Sequence, residues 1–471
     1  MAISTAEMRS VNPATEQEIA TYAVHDDADV HAVLDAAAAA FRGWSVTRVE
    51  ERCAIVARVA AVLRERSEPL AALITAEMGK TIVEARAEVE KCAFTCAWYA
   101  DHAPGFLADE PMPSDSERSF VAFEPLGTVL AGMPWNFPLW QVFRFAAPGL
   151  CAGNCAVLKH ASNVSGCALA IADVLAAAGL PAGIFGVVLV PNQRVAAIIE
   201  DRRIAAVTLT GSTEAGRSVA AAAGRSLKPV VLELGGSDAF VVLEDADVAA
   251  AAATAAKSRF QNAGQSCIAA KRFIVVDAIA GAFEEALVEQ ARAVTLGDPM
   301  RETTQMGPLA RDDLRVTLER QIRESVAAGA RLISGGTRPE GRGYFIAPAV
   351  VTGCSPAMPA FAEETFGPLA AVMSVRSADE AIAVANESTF GLGGNIWTGD
   401  EERGISLARR MQSGGVFING MTHSDARIPF GGVKESGHGR ELSSFGIREF
   451  VNIKTVWRPA KDRAGGGTPA E

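Results

Sequence analysis

Apolar and polar positions follow two different periods along the chain. Over roughly the first hundred residues the apolar positions recur at helical spacing, and the Met-Gly-Lys at 78–80 interrupts them. From residue 128 onward, short apolar runs alternate with helix-like stretches. The runs are TVLAGMP, NCAVLK, GVVLV, AAVTLTG and PVVLELGG, and the helix-like stretches lie near 139–152, 164–178, 193–200 and 213–226. We therefore predict long N-terminal helices followed by five buried strands of a doubly wound parallel sheet.

The same alternation resumes after residue 236. The runs AFVVL and RFIVVD flank a helix-like stretch that begins near Asp247, and another helix-like stretch runs to about Val294. Later runs are AAVMSV, GGNIWTG and GGVFING. This series predicts a second α/β domain with its own sheet. The tail at 463–471, which contains Gly and Pro, is predicted to be flexible.

Composition and charge exclude several classes of protein. The 471 residues are 49% hydrophobic, which is enough apolar material for the cores of two or three domains. Lys and Arg number 44 against 55 Asp and Glu, a net charge of −11, and no basic block is present. This balance argues against nucleic acid or an anionic membrane as the main partner. No signal pattern or membrane-length apolar stretch is evident, so we predict a cytoplasmic protein.

Cysteine spacing raises the possibility of a metal site. Four of the eight cysteines form two pairs, Cys92 with Cys96 and Cys151 with Cys155, whose spacing would place two sulfurs on one helix face. No matching His or Cys pair follows at zinc-ligand spacing. We therefore predict that these cysteines pack in the core and that the protein holds no metal.

Polar residues collect where the predicted strands of the first sheet end. PWNFP, KHAS, TGSTEAG and LELGG each follow a strand, and ligands of doubly wound sheets bind at these ends. The helix that begins in GSTEAG could meet a phosphate with its free N–H groups. The GSTEAG segment lacks the glycine spacing of the usual dinucleotide-binding motif. A simple helix cap would also explain its residues.

Three residues could carry covalent chemistry. Cys267, in FQNAGQSC, could be a nucleophile or a small buried hydrophobe. Glu233 ends an apolar run, where burial would raise its pKa as a general base requires, although an ion pair would also account for it. Asn136 lies between aromatic residues and prolines, either as an oxyanion donor or as a turn residue. None of the six histidines pairs with Cys267 in a protease pattern, which favours a departing hydride over an amine or alkoxide.

Five motifs in order resemble those of the NAD(P)-dependent aldehyde dehydrogenase superfamily. They are PWNFP, LELGG, FQNAGQSC, EETFGP and PFGGVKESGHGRE. VLKHASNVSGCA, LELGGSDAF and SDARIPFGG look most similar to the shorter bacterial succinate-semialdehyde dehydrogenases. The resemblance implies an α/β fold with a Rossmann-type cofactor-binding domain over 1–105 and 125–234 and an α/β catalytic domain over 235–423. It also implies a small oligomerisation element, 106–124 with 448–457, whose segments pair between subunits of a homodimer or homotetramer.

The resemblance further implies a role for each matching residue. Cys267 matches the nucleophile, Glu233 the base that activates the deacylating water, and Asn136 the side-chain oxyanion donor. Gly211 and Ser212 match contacts to the pyrophosphate. The full set implied for the cofactor is Trp135, Asn136, Lys159, Ser162, Gly211, Ser212, Leu234, Glu364 and Phe366.

Cofactor choice and substrate choice depend on single positions. In many NAD-preferring relatives a glutamate stands three residues after the lysine, where this chain has Ser162, so we expect NADP with NAD also possible. Arg144 and Ser424 match residues that hold the carboxylate of succinate semialdehyde. Gln261 replaces a second arginine found in some relatives, and Arg144 could instead form a salt bridge. The alternatives are therefore an aldehyde dehydrogenase for another small aldehyde, or a cysteine hydrolase without redox chemistry.

Overall fold

The N-terminal region is a β-hairpin followed by four helices. A computed structural model describes residues 7–459, so the predicted flexible tail lies outside the described residues. The elements are β1 (Glu7–Asn12), β2 (Gln17–Ala23), α1 (Asp27–Trp44), α2 (Val49–Glu65), α3 (Ser67–Met78) and α4 (Ile82–Phe106). The predicted helices are confirmed, and so is the break, because Gly79 has a φ of +87°. The hairpin was missed because most of its residues in β2 are exposed and form no apolar stripe.

The first sheet follows a short pair of strands. The elements are β3 (Glu110–Pro111), β4 (Arg118–Pro125), β5 (Thr128–Met133), α5 (Trp140–Ala152), β6 (Cys155–His160), α6 (Ser165–Ala177), β7 (Phe185–Val187), α7 (Val195–Glu200), β8 (Ile204–Thr210), α8 (Thr213–Arg225) and β9 (Val230–Glu233). All five predicted strands are present, in the order β9-β8-β5-β6-β7, and they pair in parallel. Burial on both faces explains their nearly continuous apolar runs.

The second sheet is also built mainly from parallel strands. The elements are β10 (Asp238–Val242), α9 (Val248–Phe260), β11 (Ala270–Val276), α10 (Asp277–Ala293), α11 (Asp312–Ala327), β12 (Arg331–Ser334), β13 (Ala349–Thr352), α12 (Pro359–Ala362), β14 (Leu369–Val375), α13 (Ala378–Asn386), β15 (Phe390–Gly391), β16 (Gly394–Trp397), α14 (Glu401–Ala408) and β17 (Phe417–Ile418). Its order is β12-β13-β14-β11-β10-β16-β17, with only β12 antiparallel to its neighbour among the described strands.

The C-terminal segment returns to the first half of the molecule. Its elements are β18 (Val433–Lys434), β19 (Gly437–His438), α15 (Ser443–Arg448) and β20 (Val451–Arg458). Strand β19 extends the first sheet by pairing antiparallel with β9. Strand β20 pairs with β4 of the same chain, from Val451 opposite Pro125 to Arg458 opposite Arg118. The two segments of the predicted oligomerisation element therefore form one small sheet within the chain.

Two hydrophobic cores hold these layers together. One contains the N-terminal helices, the first sheet and Phe430, Leu442 and Ile447 of the returning segment. The other is formed by the second sheet and its helices. The predicted domain boundaries leave this returning segment unassigned, and they remain a prediction. Within residues 7–459, no helix has the length and apolarity that crossing a membrane requires.

Candidate active site

The loop that carries Asn136 is fixed by a buried carboxylate. Glu88 of α4 accepts hydrogen bonds from the backbone N–H groups of Leu139 (2.9 Å) and Trp140 (3.0 Å) at the start of α5. Its other oxygen forms a buried ion pair with Lys80. A carboxylate at this position satisfies unpaired helix N–H groups and complements the helix dipole. The direction in which the chain leaves β5 is thereby set.

The loop that carries Cys267 has unusual backbone geometry. It connects α9 with β11, and Asn262, Ala263 and Gly264 all have positive φ, at +51°, +51° and +73°. For Asn262 and Ala263 this conformation is strained, so the surroundings must hold it. Glu84 contributes by accepting the Asn262 N–H at 2.6 Å. The turn lies inside the structure, since all three residues are buried.

Hydrogen bonds join the two loops directly. Asn136 Nδ2 donates to the carbonyl of Gln265 at 3.0 Å, and Asn262 Nδ2 donates to the carbonyl of Asn136 at 2.9 Å. Gln265 Oε1 accepts the N–H of Ala310 at 2.9 Å. Because Asn136 belongs to the first half of the chain and Gln265 to the second, this network sets how the amide and the thiol face each other.

Asn136 and Cys267 line the same cavity of about 250 Å³. Six of the residues predicted to bind cofactor also line it, namely Trp135, Gly211, Ser212, Leu234, Glu364 and Phe366. A larger open groove of about 790 Å³ shares Trp135, Gly211 and Ser212 with this cavity. The predicted Lys159 and Ser162 line the groove. The structure thus places the candidate nucleophile in a cavity that is continuous with the groove.

The thiol and the nearby carboxylate are both strongly affected by burial. Burial raises the pKa of Cys267 to about 12, and the positive charges of Arg144 and Lys271 oppose this rise. Burial also raises the pKa of Glu233 well above its ordinary value; Arg144 opposes that shift and Glu441 adds to it. No hydrogen-bond partner for either Glu233 oxygen is present among the described residues. A carboxyl group in this state can act as a base of raised strength.

The groove carries the features expected for a phosphate-bearing ligand. Ser212 caps α8, accepting the N–H of Ala215 at 3.3 Å, so the helix-cap interpretation is correct and the helix start still faces the groove. Lys159 donates to the side chain of Asn192. Ser162 is exposed. These groups fit a dinucleotide with an additional phosphate on its ribose.

His160 does not take part in this groove. Its Nδ1 accepts the N–H of Ala161 at 2.9 Å, so its Nε2–H donates to the carbonyl of Pro138 at 2.8 Å. Burial lowers the pKa of His160 to about 4, which keeps the ring neutral. The ring therefore supports the loop that carries Asn136.

Arg144 is paired with a carboxylate of the protein. It is 2% exposed, forms an ion pair with Glu441, and donates to Thr210 Oγ1 at 3.0 Å. Neither Arg144, Ser424 nor Gln261 lines the Cys267 cavity. Ser424 Oγ accepts a hydrogen bond from Lys91 Nζ at 2.7 Å. The salt-bridge alternative for Arg144 is thus realised, and its predicted contact with a substrate carboxylate remains a prediction.

Three charged residues, two of them buried and one partly buried, escaped the sequence analysis. Lys271 donates to the carbonyls of Cys267 (2.7 Å) and Ser266 (3.0 Å) and lies 3.8 Å from Glu364. Glu364 itself accepts the N–H of Gly236 at 2.9 Å. The other two are Lys91 and Glu441. The available signal was a Lys or Glu inside an otherwise apolar run, as in CIAAKRF. No group of three or more potential metal ligands occurs within residues 7–459.

A cysteine and an amide in a cavity that adjoins an open groove at the strand ends of a doubly wound sheet are typical of a dinucleotide-dependent oxidoreductase with a covalent mechanism. The chain belongs to the aldehyde dehydrogenase family, whose profile matches residues 2–456. This confirms the predicted family and fold class.

Three individual proteins are similar to this chain over nearly its whole length. The chain is 49% identical to the NAD(P)+ succinate semialdehyde dehydrogenase Sad of Escherichia coli (strain K12), over 95% of this chain and 97% of the relative. It is 48% identical to a probable NADP(+) succinate-semialdehyde dehydrogenase of Synechocystis sp., over 97% and 100% of the two chains. The structure of a succinic semialdehyde dehydrogenase from Streptococcus pyogenes in complex with NADP+ superposes with a TM-score of 0.94 at 36% identity, covering 96% of this chain and 100% of the other.

Replacing Arg144 by Met should lower the free energy of unfolding by about 3–5 kcal/mol, because Glu441 would remain buried without its cation. The double variant R144M/E441Q should recover much of that loss, since the buried charge is then removed as well. Urea unfolding of the wild type, both single variants and the double variant measures this coupling.

Arg64→Met is a suitable control because its ion pair with Glu90 (2.8 Å) is exposed, and its effect should stay below about 1 kcal/mol. An Arg144→Met protein as stable as the wild type would show that the pair with Glu441 is not a structural one.

Proposed function

We propose that this protein oxidises succinate semialdehyde to succinate, with NADP+ as the preferred acceptor and Cys267 as the nucleophile. The observation that carries the proposal is the continuous cleft from Lys159 and Ser162 to Cys267 and Asn136. The named activities of relatives that are nearly half identical to this chain support the choice of substrate.

The first chemical step forms a bond between the Cys267 sulfur and the aldehyde carbon, while the S–H proton passes to solvent and the C=O π electrons move onto the oxygen. Asn136 donates its side-chain N–H to the oxygen on which negative charge develops, and the backbone N–H of Cys267 is a second donor. A nicotinamide cofactor held by the residues of the groove would supply the hydride acceptor, and loss of hydride from the adduct carbon leaves a thioester on Cys267. Lys271, which holds the carbonyl of Cys267, keeps the nucleophile loop in place during the step.

The second step hydrolyses the thioester. Glu233 takes a proton from water, whose oxygen attacks the thioester carbon and releases succinate and the thiol. The raised pKa of Glu233 makes it a stronger base than an exposed glutamate, and its oxygens have no competing partner among the described residues. Because this chain has a carboxylate base at Glu233, hydrolysis of the Cys267 thioester to the free acid is favoured over transfer of the acyl group to another acceptor.

The defining experiment mixes the protein with succinate semialdehyde and NADP+ and records reduced nicotinamide by its absorbance. Cys267→Ala should bind NADP+ as the wild type does but form no reduced cofactor, because the phosphate-binding helix start is separate from the nucleophile. Turnover by Cys267→Ala would refute the covalent mechanism. A panel of neutral aldehydes, compared by kcat/KM, tests the alternative substrates.

Glu233→Gln should give a burst of reduced cofactor close to one per active site, followed by turnover reduced by a factor of about 10² or more. The thioester forms before the step that needs the base, so the first turnover is spared. Stopped-flow absorbance measures both phases. Loss of the burst itself would assign Glu233 to the earlier step.

Ser162→Glu should shift the preference from NADP+ toward NAD+ by tenfold or more in the ratio of kcat/KM values. The new carboxylate would repel a 2′-phosphate beside Lys159 and could accept the ribose hydroxyls. Ser162→Ala is the matched control, since it removes the hydroxyl without adding charge. An unchanged ratio in Ser162→Glu would place the adenosine ribose elsewhere.

We also propose a homodimer or homotetramer in a reducing cytoplasm. Strand β20 is an edge of the small sheet, and its Ile453, Val456 and Trp457 are exposed. An unpaired edge with apolar side chains favours a protein partner. The eight cysteines are all free thiols, which suits a reducing compartment. Sedimentation equilibrium of the purified protein tests the assembly.

A further inference from the structure

Lys91 lies between the helix that follows Asn136 and the loop after β17. Its Nζ donates to Ser424 Oγ at 2.7 Å and lies 4.2 Å from the centre of the Trp140 ring. Trp140 begins α5 and is followed by Gln141, which lines the Cys267 cavity. The first turn of α5 therefore connects the cavity wall to the contact between Trp140 and Lys91.

No carboxylate contacts the ammonium of Lys91 closely enough to form an ion pair among the described residues, and Glu88 and Asp425 act on it only from a greater distance. Within residues 7–459, no Asp or Glu oxygen forms an ion pair with Lys91, although Arg144 pairs with Glu441 and Arg427 pairs with Asp425 at 2.5 Å. The Lys91 side chain is only partly exposed, and among the described residues its hydrogen bond is to the neutral hydroxyl of Ser424. Keeping an ammonium out of water without a counter-ion is costly. An anion from outside the chain would remove that cost.

Resting on the function proposed above, we propose that Lys91, together with Ser424, binds the carboxylate of succinate semialdehyde and thereby determines substrate specificity. An ammonium has three hydrogens to donate, and the Ser424 hydroxyl can accept one while donating its own hydrogen to a carboxylate oxygen. Arg144 lies within the same region but is already neutralised by Glu441. Lys91 therefore provides the net positive charge that selects an acid aldehyde over a neutral one.

Lys91→Met keeps a long side chain against Trp140 but removes the charge. The ratio of kcat/KM for succinate semialdehyde to kcat/KM for butanal should fall about thirtyfold or more, mainly through KM for the acid. Lys91→Arg should retain most of the ratio, because it retains the charge. Lys257→Met is the matched control, since Lys257 is an exposed lysine on α9, and its ratio should equal that of the wild type.

The pH dependence gives a readout that a structural role would not change. Burial, with a smaller effect from Arg144, lowers the pKa of Lys91 to about 8, while Glu88, Cys92 and Asp425 oppose the shift. The charged form predominates below this pKa, so the wild-type ratio should fall as the pH rises through about 8. The ratio in Lys91→Arg should stay flat over the same range, because a guanidinium remains protonated.

Each result of these measurements either supports or overturns the role of Lys91 in binding the carboxylate. Equal losses for both aldehydes in a folded Lys91→Met protein, or no change in the ratio, would overturn the role of Lys91, and so would a selectivity loss confined to Arg144→Met. If the wild type does not prefer succinate semialdehyde, the proposed function fails by itself. Calorimetric titration with succinate then tests Lys91 alone: binding weakened about thirtyfold in Lys91→Met supports the carboxylate site, and unchanged binding refutes it.

Discussion

The active cleft depends on the hydrogen bonds that cross between Asn136 and the loop of Cys267. Asn136 extends from the first sheet, whereas Cys267 precedes a strand of the second, and each sheet has its own core. A donor amide and a thiol on separately packed units can act together only if their separation is fixed. The reciprocal bonds among Asn136, Asn262 and Gln265 fix it, and they also stabilise the strained backbone of the nucleophile loop.

Buried charges support this junction from behind. Glu88 with Lys80 fixes the start of α5, Arg144 with Glu441 joins α5 to the returning C-terminal segment, and Lys271 holds the carbonyl of Cys267. Such pairs add little net stability to the protein, but removing one partner costs much stability because the other charge is left buried and unpaired. Their effect here is to fix the positions of α5 and of the nucleophile loop. Arg144 and Lys271 also act on the pKa of Cys267, and Arg144 and Glu441 on the pKa of Glu233, so these supporting charges and the chemistry cannot be varied independently.

Local pattern was sufficient for the strands and for the site residues that end them. The five runs of the first sheet, and the positions of Asn136, Gly211 and Glu233 at or just after strand ends, follow from periodicity and from the geometry of parallel sheets. The hairpin at β1 and β2 lacked an apolar stripe, and the two-residue strands β15, β18 and β19 are too short to show a period. The partners of Arg144 and Lys91 lie far along the chain. Pairing of Arg144 with Glu441, and of Lys91 with Ser424, depends on how the C-terminal segment packs, which no local pattern contains.

The covalent step at Cys267 is the central claim, and intact-peptide mass spectrometry tests it most directly. Glu233→Gln protein is mixed with succinate semialdehyde and NADP+, quenched in acid within the first turnover, and digested. We predict that the peptide containing Cys267 carries the added mass of one succinyl group, and that omission of NADP+ prevents this modification. Reduced cofactor in the quenched sample, with Cys267 unmodified, would contradict the account.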